Sequence, residues 1–176
     1  CDGNSLISTQ SINLDEGWNL WSTYIAPNEP NLASCFAEIV GDLIIVKDEN
    51  GSVYWPVFGL NNIGNLTPGS GYYTKMSSYN TLLIEGELSP YNIDLLLEDG
   101  WSIIGYLHQN CYNATDMMSP MGDNLIIMKD ENGSVYWPAF GLNSIGNMCP
   151  GEGFQIKINS SVSFSYPAGG RFGFNE

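Results

Sequence analysis

The sequence is poor in positive charge and in the groups that run most catalysis. Five basic side chains stand against 19 acidic ones, for a net charge of −14. Such a surface repels phosphate backbones and anionic lipid, so nucleic acid is not an expected partner. There is a single histidine, His108. No Gly-x-Ser-x-Gly, P-loop or Gly-x-Gly-x-x-Gly leads from a strand into a helix. The Pro-Gly-Ser-Gly at 68–71 and Pro-Gly-Glu-Gly at 150–153 lie between strand-like segments, without the helix that phosphate binding uses. No apolar run approaches the ~18–20 residues that a membrane-crossing helix needs, so no transmembrane segment is expected. No two cysteines fall within a C-x₂₋₄-C spacing, which removes the common zinc patterns. These absences together predict a protein that is not an enzyme and carries no cofactor, with calcium the one candidate ion.

What is present begins with apolar content. Hydrophobic residues make up 43% of the 176, enough to offset the ordering entropy of a core, so a disordered chain is not expected. The chain then repeats itself. Residues 43–71, LIIVKDENGSVYWPVFGLNNIGNLTPGSG, recur as 125–153, LIIMKDENGSVYWPAFGLNSIGNMCPGEG. The offset is 82, and 23 of the 29 positions are identical. INLDEGWNL at 12–20 matches LLLEDGWSI at 95–103 at an offset of 83, and GYYTKM at 71–76 matches GFQIKI at 153–158. His108 falls opposite Ile25 and is therefore not part of the repeating pattern. A repeat of this length means one structural unit used twice. The boundaries read as an N-terminal segment 1–11, a first unit 12–88, a second unit 89–168 and a tail 169–176. The join near Leu88–Pro90 is short, so the two units are expected to pack together.

Within a unit the periodicity is mostly that of strands. WNLWSTYI and WSIIGYL follow Asp-Glu-Gly and Glu-Asp-Gly turns and are rich in aromatic and β-branched residues. Leu32, Cys35, Phe36 and Ile39 sit at i, i+3, i+4 and i+7, which predicts a short helix capped by Asn31. Its counterpart carries Pro120 and should be weaker or only one turn long. LIIVKD and SVYWPVFG flank Glu-Asn-Gly, a hairpin signal in which Asn-Gly is expected to supply left-handed backbone. The fold class is therefore mainly β: two tandem pseudo-symmetric β-rich units of about 80 residues, each with one short helix, packed together.

Candidate site residues come from what repeats. Tyr54, Trp55 and Phe58 recur as Tyr136, Trp137 and Phe140. Exposed, they would be platforms for sugar rings; buried, they would be core or the seam between units. Asp48, Glu49 and Asn50 recur as Asp130, Glu131 and Asn132 and offer oxygen ligands for calcium, though without the alternating EF-hand loop. Adjacent carboxylates on a strand point to opposite faces, which argues against a glycosidase pair. Four of the five basic residues repeat, Lys47 with Lys129 and Lys75 with Lys157. Lysines kept in so acidic a chain predict matched carboxylate partners or stem packing. The four cysteines, Cys1, Cys35, Cys111 and Cys149, do not follow the repeat. They allow three disulfide connectivities, among them Cys111–Cys149 with Cys1–Cys35. Cys1 also reads as a lipid-modified cysteine or a free thiol, and a first residue other than Met points to a removed leader.

The motif IVKDENGSVYWP…IGNLTPGSGYYTK, preceded by GWNLWSTYI, resembles tandem modules in large secreted and surface proteins of marine Bacteroidetes, often found near type IX secretion signals. The resemblance implies an extracellular or cell-surface setting and a structural or adhesive role. It carries over no catalytic residue. The partners it implies are other copies of the chain or other surface proteins. A carbohydrate-binding module that engages glycans is the alternative. A glycosidase-type enzyme ranks below both. The strand-like SLISTQSI at 5–12 and the tail Arg171–Phe174 are candidate contacts between subunits.

Overall fold

The computed structural model describes residues 6–169, so Cys1 and Arg171–Phe174 lie outside the described residues. The chain is mainly β. In order, the elements of its first half are β1 (Ser8–Leu14), β2 (Gly17–Ser22), β3 (Ile25–Pro27), α1 (Leu32–Cys35), β4 (Leu43–Lys47), β5 (Val53–Trp55), β6 (Leu60–Asn61), β7 (Gly71–Met76) and β8 (Asn80–Leu88). The second half runs β9 (Leu95–Leu97), β10 (Gly100–Gly105), β11 (Tyr112–Asn113), α2 (Ala114–Met117), β12 (Leu125–Lys129), β13 (Val135–Trp137), β14 (Leu142–Asn143), β15 (Asn147–Met148), β16 (Gly153–Ile158) and β17 (Val162–Phe164). One five-stranded sheet has the order β2-β7-β4-β5-β6, another the order β10-β16-β12-β13-β14. Every pairing in both is antiparallel. Each sheet slips register near the start of its third strand, between Leu43 and Ile45 and between Leu125 and Ile127. Among the described residues no helix is long and apolar enough to cross a membrane.

Local chemistry explains the elements. Asn31 caps α1 by accepting from the Ala33 amide at 3.0 Å, and Asn113 caps α2 by accepting from Thr115 at 2.9 Å. The two helices are the same length, four residues each. Pro120 does not shorten the second, because it falls in the first turn of the following 3₁₀ segment, where a missing N–H costs nothing. The hairpin differs from the expected Asn-Gly turn. Gly51 and Gly133 take φ of +79° and +83°, while among the described residues no non-glycine residue has positive φ. The Asp48 carboxylate organises the loop instead, accepting from the amides of Asn50 at 2.9 Å and Ser52 at 2.8 Å. Asp130 does the same for Asn132 and Ser134. A side chain that satisfies two loop amides makes a second left-handed residue unnecessary.

Buried apolar side chains form two clusters. The first gathers Trp21, Phe36, Tyr54, Tyr72 and aliphatic residues between Ile12 and Ile84. The second gathers Tyr106, Phe154, Phe164, Tyr166 and a set of methionines between Leu97 and Tyr166. The strand β1 pairs with β8 across Ser8–Gly86 to Leu14–Asn80, so residues 8–11 are strand in their own chain and continue past position 11. No buried side-chain nitrogen or oxygen among the described residues lacks a partner.

Backbone joins the two halves. The Ser22 amide donates to Gly151 O and the Gly105 amide to Gly69 O, at 2.9 and 2.8 Å. Trp21 bridges Glu152, and Ile104 bridges Ser70, both antiparallel. Such close approach leaves no room for side chains. A Cβ on Gly105 would stand 2.6 Å from Ser70 O, and one on Gly153 2.9 Å from Trp21 O. Gly105→Ala should therefore lower stability by about 1–3 kcal/mol through overpacking. Gly41→Ala, with nothing within 4 Å of the new Cβ, should be near neutral. Urea melts giving equal midpoints for the two variants would show that the seam yields.

Candidate functional site

Strand alternation decides what the repeated Val-Tyr-Trp-Pro-x-Phe-Gly-Leu segment presents. Tyr54 points inward, is buried and packs against Phe36 at 6.3 Å. Tyr136 is half-buried against the second core. The next residue starts outward. Pro56 and Pro138 each open a 3₁₀ turn, closed by Gly59 and Gly141 at φ +64° and +61°. The turn carries Val57 and Phe58 into solvent at 82% and 62% exposure, and Phe140 at 72%. Trp55 and Trp137 lean edge-on against Phe58 and Phe140, each pair 4.6 Å apart. Leu60 and Leu142 extend the patch. Of the six aromatic candidates, the structure thus brings Phe58 and Phe140 into exposed apolar knobs, with Trp137 at their edge and Trp55 half-buried against Phe58. It sends both tyrosines toward the cores.

The oxygen candidates are occupied with structure. Asp48 and Asp130 hold their own turns, and Asn50 and Asn132 contribute backbone amides to them. Among the described residues no group of three or more His, Cys, Asp or Glu side chains is placed to hold a metal ion. The adjacent glutamates reach across the seam: Glu49 Oε2 accepts from the Ile103 amide at 3.0 Å, and Glu131 accepts from the Leu20 backbone.

His108 is buried in an aromatic cage. It stacks on Tyr91 at 4.5 Å, meets Tyr106, Tyr112 and Tyr166, and Nε2 bonds Pro167 O at 2.9 Å. Burial holds its pKa below the ordinary value, with the Pro167 bond acting the other way. Its role in this geometry is to hold the 165–167 segment on the second core. Cys111 and Cys149 form a disulfide. They flank the short β11–β15 pairing, Tyr112 opposite Met148, which brings the two cysteines together. Cys35 is a thiol that donates to Glu29 O at 3.3 Å, and burial pushes its pKa up to about 11. At neutral pH it is protonated and a poor nucleophile.

Two sites escaped the residue pattern. Trp18 and Trp101 are 46% and 51% exposed. Lys47 and Lys75 place their ammonium groups 5.1 and 5.8 Å from the Trp18 ring centroid, and Lys129 and Lys157 stand 5.2 and 5.8 Å from that of Trp101. The repeated lysines therefore answer to indoles rather than to the matched carboxylates the sequence suggests. The register causes this: Trp18 lies opposite Lys75 and Trp101 opposite Lys157, on neighbouring strands and the same face. The signal in the sequence was the joint recurrence of Gly-Trp and of both lysines at nearly one offset.

Compared with protein-family models, with curated proteins and with solved structures, the chain has no match.

Proposed function

We propose that the chain is a non-catalytic extracellular module of adhesive or structural type, built as a tandem duplication of one β-rich unit. The units are 12–88 and 89–168, packed about a pseudo-two-fold axis. The matched contacts support the axis: Trp21–Glu152 with Ile104–Ser70, and Glu49–Ile103 with Glu131–Leu20. The equal strand orders of the two five-stranded sheets support the duplication. The disulfide supports an oxidising, extracellular setting. The same setting is inferred from the resemblance to tandem surface modules.

The observation that carries the adhesive reading is the pair of exposed knobs, Val57–Phe58–Leu60 with the half-buried Trp55 against Phe58, and Trp137–Phe140–Leu142. Neither core uses them, and contiguous exposed apolar surface marks interaction sites. Two like knobs on one chain make it bivalent, so other copies of itself are the natural partner. Self-repulsion at a net charge of −14 opposes such association, and salt relieves it, because screening shortens from ~10 Å at 0.1 M to ~3 Å at 1 M.

Sedimentation velocity tests this. The expected result is concentration-dependent species larger than a dimer, growing with salt. Phe58→Ser should stop growth at dimers, and Phe58→Ser with Phe140→Ser should leave monomers. A wild-type chain that stays monomeric at high concentration and high salt sinks self-assembly. A second reading, carbohydrate binding, draws support from Trp18 and Trp101 rather than from Trp55 and Trp137.

A further inference from the structure

The chain has five basic residues, and four of them stand over two exposed indoles. In a molecule with 19 acidic side chains, carboxylates are the abundant partners for a lysine. Among the described residues these four instead stand against the indoles. A cation–π contact engages an ammonium's charge, contributes only about 0.5–1 kcal/mol at exposed sites, and leaves its N–H donors for another acceptor. Each site therefore combines a half-exposed flat apolar ring with two cationic donors.

Beside Trp101 lies a cavity of about 180 Å³ lined by Glu49, Trp101, Ser102, Ile103 and Gln155. Its polar groups suit hydroxyls. Glu49 commits one oxygen to the Ile103 amide at 3.0 Å, and its other oxygen remains an acceptor. Gln155 bonds Tyr73 across the seam and carries further amide capacity. The Trp18 site repeats the indole and lysine pair, with Tyr73 edge-on at 6.4 Å in the position that Gln155 occupies in the other. The indoles of both sites lie on the edge strands β2 and β10, with their lysines on the next two strands, and the Phe58 and Phe140 knobs lie at the other end of each sheet order.

We propose that Trp18–Lys47–Lys75 and Trp101–Lys129–Lys157 are two binding sites for uronic-acid units of an anionic polysaccharide. The sugar ring stacks on the indole. Its carboxylate lies between the two ammonium groups, and its hydroxyls meet Glu49 and Gln155 at the second site. A neutral sugar would leave both ammonium groups without an anion, so the lysines set the preference. The chain's own negative field opposes approach at low salt, so binding needs moderate salt to develop.

Titration of the full chain with oligogalacturonate, followed by calorimetry and tryptophan fluorescence, tests the assignment. Laminarin-type neutral oligosaccharides and sulfated carrageenan oligosaccharides serve as the other arms. The expected result is saturable binding of the uronate at two sites per chain, at least tenfold tighter than the neutral or sulfated sugars. Lys129→Gln with Lys157→Gln should halve the stoichiometry. Adding Lys47→Gln and Lys75→Gln should abolish binding, with the circular dichroism unchanged. Phe58→Ser with Phe140→Ser should bind as wild type, which separates this site from the self-assembly knobs. No uronate binding, equal binding of the neutral sugar, tighter binding of the sulfated one, or undiminished binding in the quadruple variant would each overturn it.

Discussion

Trp21→Ala is expected to lower the free energy of unfolding by about 3–5 kcal/mol, the largest effect of any single substitution considered. Trp21 sits in the first core between Phe36, at 5.9 Å, and Tyr72, at 5.4 Å. Its Nε1 donates to Thr74 Oγ1 at 2.7 Å. Truncation removes the ring contacts, opens a cavity and strips a buried hydroxyl of its partner, and the three costs share a sign. Trp18→Ala, three residues away, should cost only about 1 kcal/mol, since the exposed ring loses cation–π contacts and little burial. The pair is a controlled comparison on one strand. Urea unfolding read by the shift in midpoint at constant slope measures both. Equal costs for Trp18 and Trp21 would mean that the inside and outside faces of β2 are wrongly assigned.

Opening the disulfide by Cys111→Ala with Cys149→Ala is expected to cost about 4 kcal/mol on loop-closure entropy, for a separation of 38 residues. The loss should fall on the second half. Where the first core has Trp21, the second has Ile104, a smaller side chain, and its outer sheet is the short β9–β17 pair rather than the β1–β8–β3 sheet. Hydrogen exchange should speed in β10, β12 and β16 while β2, β4 and β7 keep their protection. A uniform loss across both sheets would show that the backbone bonds at the seam make the chain one cooperative unit, and that the disulfide stabilises both halves alike.

These expectations separate what sequence determines from what it does not. The mainly β class followed from alternation and turn residues. The caps Asn31 and Asn113 and the left-handed Gly51 and Gly133 are local, set by a few neighbouring atoms, and a residue pattern specifies them. Even locally, an unseen competitor changed the outcome: the Asp48 side chain took over the loop amides and left Asn50 in ordinary backbone.

The sites were less legible. In Gly-Trp-Asn-Leu-Trp, alternation requires Trp18 and Trp21 to face opposite ways, but it does not say which faces in. Both faces of that strand carry apolar residues, because Leu20 is buried beside Gly153 of the other half. The same ambiguity made Tyr54 look like a platform and hid Trp18. The lysines showed that they mattered by repeating, yet their partners lay one or two strands away across the sheet, and strand register is a long-range property.

By itself, then, the sequence determined the repeat, the β class, the turns and caps, and the net negative charge, since each rests on composition or on contacts between close neighbours. Only the tertiary structure decided which tryptophan of each pair is exposed, where the scarce lysines stand, that Cys111 meets Cys149, and how glycines let the two halves share backbone bonds. Those outcomes depend on which faces of strands far apart in the chain come to cover one another, and no local pattern encodes that.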